Sequence, residues 1–180
     1  MKKELFQTIE IPKGVEVNLD GTLLHVKGPE GEIKREFNFD NGVIEKKDNN
    51  IVVGSKKATK REKKIINTFT AHIKNMIQGV QKKFEYQLKV CFSHFPMTVE
   101  IQEEKAVVKN FLGEKIPRKV RIPPGAEVNI DKGIITVKSV NKELAGQAAA
   151  NFEKATKIRN KDRRVFQDGI FFINKAGREI

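Results

Sequence analysis

Apolar and polar residues alternate strictly through Val15, Val17 and Leu19, and the chain then reaches Asp20-Gly21 before a second apolar run begins. Alternation of period two predicts a strand with one buried face, and Asp-Gly supplies the positive φ that a tight hairpin needs. The same pattern returns at Ala126, Val128 and Ile130, followed by Asp131-Lys132-Gly133. The whole stretch 11–28, IPKGVEVNLDGTLLHVKG, recurs 111 residues later as 122–139, IPPGAEVNIDKGIITVKS. So wide a spacing indicates duplication of a small domain rather than a stacked array of short repeats.

Around the hairpins the pattern predicts further elements. Short strands are expected at 33–39, 43–46 and 51–53, after a tight turn through Gly28-Pro29-Glu30-Gly31. A long helix starts near Thr59, which has capping-box spacing with Glu62. Phe69, Ile73, Met76 and Val80 form its apolar stripe, widened by Ile65, Ile66 and Ile77, so the helix covers a sheet. Gly79 and the pair Lys82-Lys83 suit its last turn, where cations complement the helix dipole. Strands return at 85–92, 97–102, 106–110 and 115–122, ahead of the second hairpin. A shorter helix over 141–157 carries Leu144, Ala148, Phe152 and Ala155 on one face, and 170–173 could add a final strand. The predicted class is α+β: two similar domains, residues 1–82 and 83–180, each an antiparallel sheet packed on a helix.

Charge then changes the picture. Lys and Arg number 35 against 23 Asp and Glu, a net charge of +12 that favours a polyanionic partner such as nucleic acid. Residues 1–80 carry net +4 and residues 81–180 net +8, so the second half is the expected binding half. A single cysteine excludes an internal disulfide framework, the opening residues lack a signal peptide's apolar core, and no apolar run is long enough to span a membrane. A soluble, intracellular protein is expected.

Enzyme chemistry finds little support. Cys91 and His94 lie close in sequence, but a strand running through both would turn their side chains to opposite faces, and only His25 and His72 remain as further soft ligands. No glycine-rich phosphate loop, zinc-protease helix or serine elbow is present, so no cofactor, metal or small-molecule substrate is expected. Gly28-Pro29-Glu30-Gly31 fits the GxxG pattern of an RNA-binding loop that sits between helices, yet its flanks read as strands and a plain turn is the better reading.

Three basic clusters remain. Lys56, Lys57, Lys60, Arg61, Lys63 and Lys64 surround one acid, Glu62, and serve equally as a solvated face or as phosphate contacts. Lys115, Arg118, Lys119 and Arg121 lie on a strand and its turn with no acid among seven residues. Lys154, Lys157, Arg159, Lys161, Arg163 and Arg164 leave a helix end for a loop with only Asp162 opposing them. Extended basic loops follow a phosphate groove well, so this third cluster is the foremost candidate. Phe166 and His94-Phe95 offer rings nearby for base stacking.

Four strings occur in order: Asn75-Met76-Ile77-Gln78-Gly79-Val80, Ser93-His94-Phe95-Pro96, Asn110-Phe111-Leu112-Gly113-Glu114-Lys115, and the run from Asn160-Lys161-Asp162-Arg163-Arg164 through Val165-Phe166-Gln167-Asp168-Gly169-Ile170. Together they resemble the large-subunit ribosomal protein six family in its archaeal and eukaryotic branch, whose eukaryotic members are numbered nine. The chain departs from the bacterial branch, which ends in a Tyr-Lys-Gly-Lys-Gly-type tail. The resemblance implies a cytoplasmic, non-enzymatic component of the large ribosomal subunit that binds large-subunit rRNA near the sarcin–ricin region. It also implies neighbouring ribosomal proteins of the stalk base and translational GTPases nearby. Carried to this sequence, the implied RNA-binding residues are Lys157, Arg159, Asn160, Lys161, Arg163, Arg164, Phe166, Gln167 and Gly169, with His94, Lys115, Arg118, Lys119 and Arg121. On the residues alone two other classes stay open: a free-standing RNA-binding or RNA-chaperone module, and an RNA-processing enzyme.

Overall fold

The computed structural model describes residues 3–39 and 42–180. Six strands precede the first helix: β1 (Lys3–Glu10), β2 (Glu16–Asp20), β3 (Leu23–Gly28), β4 (Gly31–Glu36), β5 (Val43–Lys47) and β6 (Asn50–Ala58), followed by α1 (Lys60–Gln81). They pair antiparallel in two sheets, ordered β1-β6-β5 and β2-β3-β4. Six more strands follow: β7 (Phe84–Cys91), β8 (Thr98–Gln102), β9 (Lys105–Lys109), β10 (Arg118–Arg121), β11 (Glu127–Asp131) and β12 (Ile134–Ser139). Then come α2 (Lys142–Ala155), β13 (Gly169–Lys175) and β14 (Arg178–Glu179). These pair antiparallel as β10-β9-β8 and β11-β12-β7-β13-β14. Contacts divide the chain into two units, Met1–Lys83 and Phe84–Ile180.

The sequence repeat is reproduced in backbone detail. Gly14 and Gly125 both have φ of 87°, and Val15 N–H and Ala126 N–H each donate to the carbonyl of the proline three residues earlier, at 3.3 Å. Ile11 N–H donates to the Asn49 carbonyl at 2.8 Å in the β5–β6 turn, and Ile122 N–H to the Glu104 carbonyl at 3.2 Å in the β8–β9 turn. The two sheets of each unit therefore correspond strand for strand, with β10, β11 and β12 matching β1, β2 and β3, and β7, β8 and β9 matching β4, β5 and β6. Chain order differs: the half that comes second in the first unit comes first in the second. Only β13 and β14, beyond β7, extend a sheet with no counterpart.

Each helix forms where its caps and apolar face permit. At the start of α1 the Thr59 N–H donates to Glu62 at 2.9 Å, completing the capping box read from sequence. Ile66, Ile73, Met76, Ile77 and Val80 are buried as expected, with Thr70 and Gly79 among them, whereas Ile65 and Phe69 are half-buried at the stripe's margin. Phe69 instead meets Phe37 and Phe39 edge-on, with ring centroids 5.0 and 5.6 Å apart. Asn141 caps α2 by accepting from the Glu143 N–H at 2.9 Å. The buried face of α2 is Ala145, Ala148, Ala149 and Phe152, so the alanines run close against the sheet while Leu144 lies at the edge. In the second unit both sheets and α2 contribute to one core, from Leu88, Val108 and Val120 to Ile135 and Phe152.

The end of α1 corrects one expectation. The helix stops at Gln81, and Lys82 is its C-cap in extended backbone, so no cation occupies the last turn. A backbone donor does that work: the Glu30 N–H from the β3–β4 turn reaches the Val80 carbonyl at 3.0 Å, satisfying one of the acceptors that a helix end leaves open. The close approach requires Gly28, because a Cβ there would lie 2.7 Å from the Val80 oxygen and 2.9 Å from the Val80 Cβ. Gly28-Pro29-Glu30-Gly31 is thus a hairpin turn packed on a helix end. Gly28→Ala is expected to destabilise the protein by about 1–3 kcal/mol through overpacking, read as a lower denaturation midpoint at unchanged slope. A wild-type midpoint would mean that the turn lifts off the helix freely.

Candidate nucleic-acid interface

β7 and β13 are antiparallel neighbours, and Gly169 at the start of β13 is paired with Cys91 at the end of β7. The segment leaving β7 and the segment entering β13 therefore meet at the same end of the sheet. They are joined there by Asp168, buried, whose carboxylate accepts from the Ser93 N–H and the Ser93 hydroxyl, both at 2.9 Å. The neighbouring Phe95 ring packs on Gly113, where a Cβ would stand 3.2 Å away, and the Asn110 amide donates to the Pro96 carbonyl at 3.0 Å. Exposed His94, its ring 4.9 Å from that of Phe95, lies in sequence between Ser93, bonded to Asp168, and Phe95, packed on Gly113.

The loop is anchored where it leaves α2. Thr156 is buried and its hydroxyl oxygen accepts from the Ile170 N–H at 2.9 Å, closing 156–170 as one excursion from the helix to the sheet. Inside it Asn160 takes a left-handed φ of 57°, a conformation asparagine tolerates better than most residues. Asp162 accepts from the Arg164 N–H at 2.9 Å with its side chain, and its carbonyl accepts from the Val165 and Phe166 N–H groups at 3.2 and 3.0 Å. Gln167 donates to the Arg164 carbonyl at 3.1 Å. The acid expected to oppose the cluster is thus a turn builder.

This scaffold leaves Lys157, Arg159, Asn160, Lys161, Arg163, Arg164, Phe166 and Gln167 exposed. Among the described residues, none of the five cations in that set forms a salt bridge with a carboxylate. The Lys161 ammonium lies 4.7 Å from the centre of the Phe166 ring. Gly169 is buried and faces the Phe171 ring, so its part is to admit that ring rather than to present a surface. A cleft of about 730 Å³ runs between the end of α2, the loop and β13.

The second basic cluster divides. Along β10, Lys119 and Arg121 are exposed and alternate with buried Val120, which sends them to the outer face. Lys115 is exposed but precedes the strand, which begins only at Arg118. Arg118 itself is half-buried and engaged in packing. Its guanidinium donates to both Glu114 oxygens, at 2.8 and 2.5 Å, and to the Ala155 carbonyl at the end of α2 at 2.7 Å, while lying 4.3 Å over the buried Phe111 ring. The first cluster, Lys56 through Lys64, is exposed on α1 and the end of β6 in the other unit. Cys91 ends its strand half-buried, and among the described residues no group of three or more His, Cys, Asp or Glu is placed to hold a metal ion.

Sequence reading did not single out Asp168, Thr156 or the Asn160 and Asp162 turn as the parts that shape the loop. Asp two positions before Arg164 is an Asx-turn signal, whereas the Thr156 and Asp168 anchors depend on partners 14 and 75 residues away and leave no local trace. The Arg118 hydrogen bond, aided by its charge and opposed by partial burial, holds the Glu114 carboxyl below the usual glutamate range. A folded-state pKa lowered in this way contributes stability above the unfolded value and loses it as pH falls through the folded one. Glu114→Gln should therefore cost a few tenths to about 1 kcal/mol at neutral pH, as for other partly exposed pairs, with the gap to wild type closing in acid. Thermal unfolding across pH 2–7 checks this, and a gap independent of pH would sink it.

With that geometry in view, relatedness is decisive. The ribosomal protein L6 family profile matches residues 11–83 and again 95–169, one segment in each unit. The chain is 46% identical to a Methanobrevibacter smithii protein over 94% of its own length and 95% of the relative's. It is 42% identical to one from Aeropyrum pernix, covering 94% and 93%, and 42% identical to one from Methanosarcina mazei, covering 98% and 100%. Each of the three is named large ribosomal subunit protein uL6. Two matched segments and full-length archaeal relatives leave one conclusion: the chain belongs to the ribosomal protein L6 family.

Proposed function

We propose that this chain is a non-enzymatic structural component of the large ribosomal subunit, acting in the cytoplasm by binding large-subunit rRNA through its second unit. The observation that carries the reading is the 157–167 loop, whose five cations are splayed outward with no carboxylate bridging them among the described residues. Family membership supplies the particle, and the loop supplies the chemistry. Lys and Arg at fixed spacing neutralise neighbouring phosphates and release their counterions, and the anchored turns set the geometry in which they do so. RNA helices present backbone shape and 2′-hydroxyls more than readable base edges, so a preformed basic loop suits recognition of tertiary form. His94 is braced beside the loop, and Lys115, Lys119 and Arg121 extend the basic surface within the same unit. The finer placement follows from the family resemblance: the sarcin–ricin region, beside the stalk base, with its ribosomal proteins as neighbours and translational GTPases nearby.

The test is competition binding of the full chain to a large-subunit rRNA fragment spanning the sarcin–ricin region and to unrelated structured RNAs of equal length, over a salt series. Preference for the rRNA fragment that survives moderate salt is expected, and equal binding that collapses with salt would leave only a free-standing basic module. Replacing Arg159, Lys161, Arg163 and Arg164 by alanine should weaken binding and flatten the salt dependence by about one unit of log–log slope per phosphate contact removed. An unchanged affinity and slope would move the contact elsewhere.

A further inference from the structure

We infer that the cleft beside the basic loop accepts a single unstacked nucleobase of the bound RNA. This rests on the rRNA reading above and deepens it. At about 730 Å³ the cleft falls within the range of small-molecule pockets and holds far more than a side chain. Its walls include Ile158, Phe166 and Phe171, and the two phenylalanine residues are 37% and 39% exposed, although the Lys161 ammonium lies 4.7 Å from the Phe166 ring centre. Lys154 and Lys157 stand on the α2 side and Arg163 on the loop side. An extruded nucleotide has two apolar ring faces, a polar edge and a phosphate at either end. Rings within and cations on both flanks match that distribution, whereas a paired RNA helix offers a broad shallow surface that would pass over a concavity. Glu153 and Gln167 also line the cleft and bring polar side chains to it, the Gln167 amide nitrogen already donating to the Arg164 carbonyl. Stacking on an aromatic face is tolerant of base identity, so the chemistry selects an unstacked base by position more than by sequence.

Stacking and phosphate contact differ in salt dependence, and this separates them. With the full chain and the rRNA fragment named above, Phe166→Leu, which keeps apolar volume, and Phe166→Ala are each expected to weaken binding roughly tenfold or more, in line with one lost base stack. The salt slope should stay at the wild-type value, and Phe166→Tyr should restore affinity. Arg163→Ala should instead flatten the slope by about one unit. Wild-type denaturation midpoints for the Phe166 variants exclude a folding defect. The inference is overturned if both Phe166→Leu and Phe166→Ala bind as wild type, the result if the cleft faces a protein partner. It is also overturned if their loss of affinity comes with a flattened slope, which would mean that only the loop's phosphate contacts had moved. If the wild-type chain itself shows no preference for rRNA, the broader proposal fails and the base site falls with it.

Discussion

The binding end of the second unit depends on how the last turn of α2 is closed. A helix leaves its final carbonyls without intrahelical donors, and burying that end requires replacements. Arg118 supplies one from β10 by donating to the Ala155 carbonyl, while its other donors are neutralised by Glu114 and its plane rests on Phe111. One residue further on, the Thr156 hydroxyl accepts from the N–H of Ile170, the second residue of β13. Helix end, basic strand and returning strand are thus tied within a few residues of one another, and the chain between them is free to carry charge. In the first unit the helix end is met instead by a backbone N–H from a hairpin turn, Glu30 donating to the Val80 carbonyl.

Duplication accounts for the scaffold, and the candidate interface lies in what duplication leaves over. The strands of one unit map onto those of the other, but α1 follows β6 whereas α2 follows β12, the counterpart of β3. Because α2 enters from that position, the chain returns to pair β13 with β7, on the edge that β4 leaves unpaired among the described residues of the first unit. The return demands a connection from helix to strand. Lys157, Arg159, Lys161, Arg163 and Arg164 all fall on it, so the topological difference concentrates these five cations on one connection, although each unit as a whole carries a net charge of +6.

Much of this was legible in the sequence because the strongest signals are local. The hairpins, the capping box at Thr59, the apolar faces of both helices and β13 all rest on periodicity or turn chemistry within a few residues. β1 escaped notice because only Leu5 and Ile9 of its KELFQTIE run are apolar on the inward side, and pairing with β6 is what makes it a strand. Lys115 read as strand because a basic run carries no boundary signal, yet the chain turns through it to bring Glu114 back to Arg118. Charge could be counted from sequence, but direction could not. Alternation along β10 puts Arg118 on the side of Val120, and only the partners waiting there, Glu114 and the end of α2, turn a surface cation into a clamp.

Within the loop, shape is held by side chains other than those of its cations. Asp162, Thr156 and Asp168 spend their side-chain oxygens on backbone N–H groups and on Ser93, while the lysine and arginine side chains make none of those shape-setting bonds. Asp162 and Asp168 lie closest in sequence to the cations and would neutralise them if their carboxylates were free to pair. By accepting backbone and serine hydrogen bonds they shape the loop, and among the described residues neither forms an ion pair with its cations. Uncompensated like charges on one short segment repel one another, which favours the isolated chain least and a chain beside phosphates most. A rigid carrier converts that repulsion into selectivity, since only a partner whose phosphates match the fixed spacing relieves it in full.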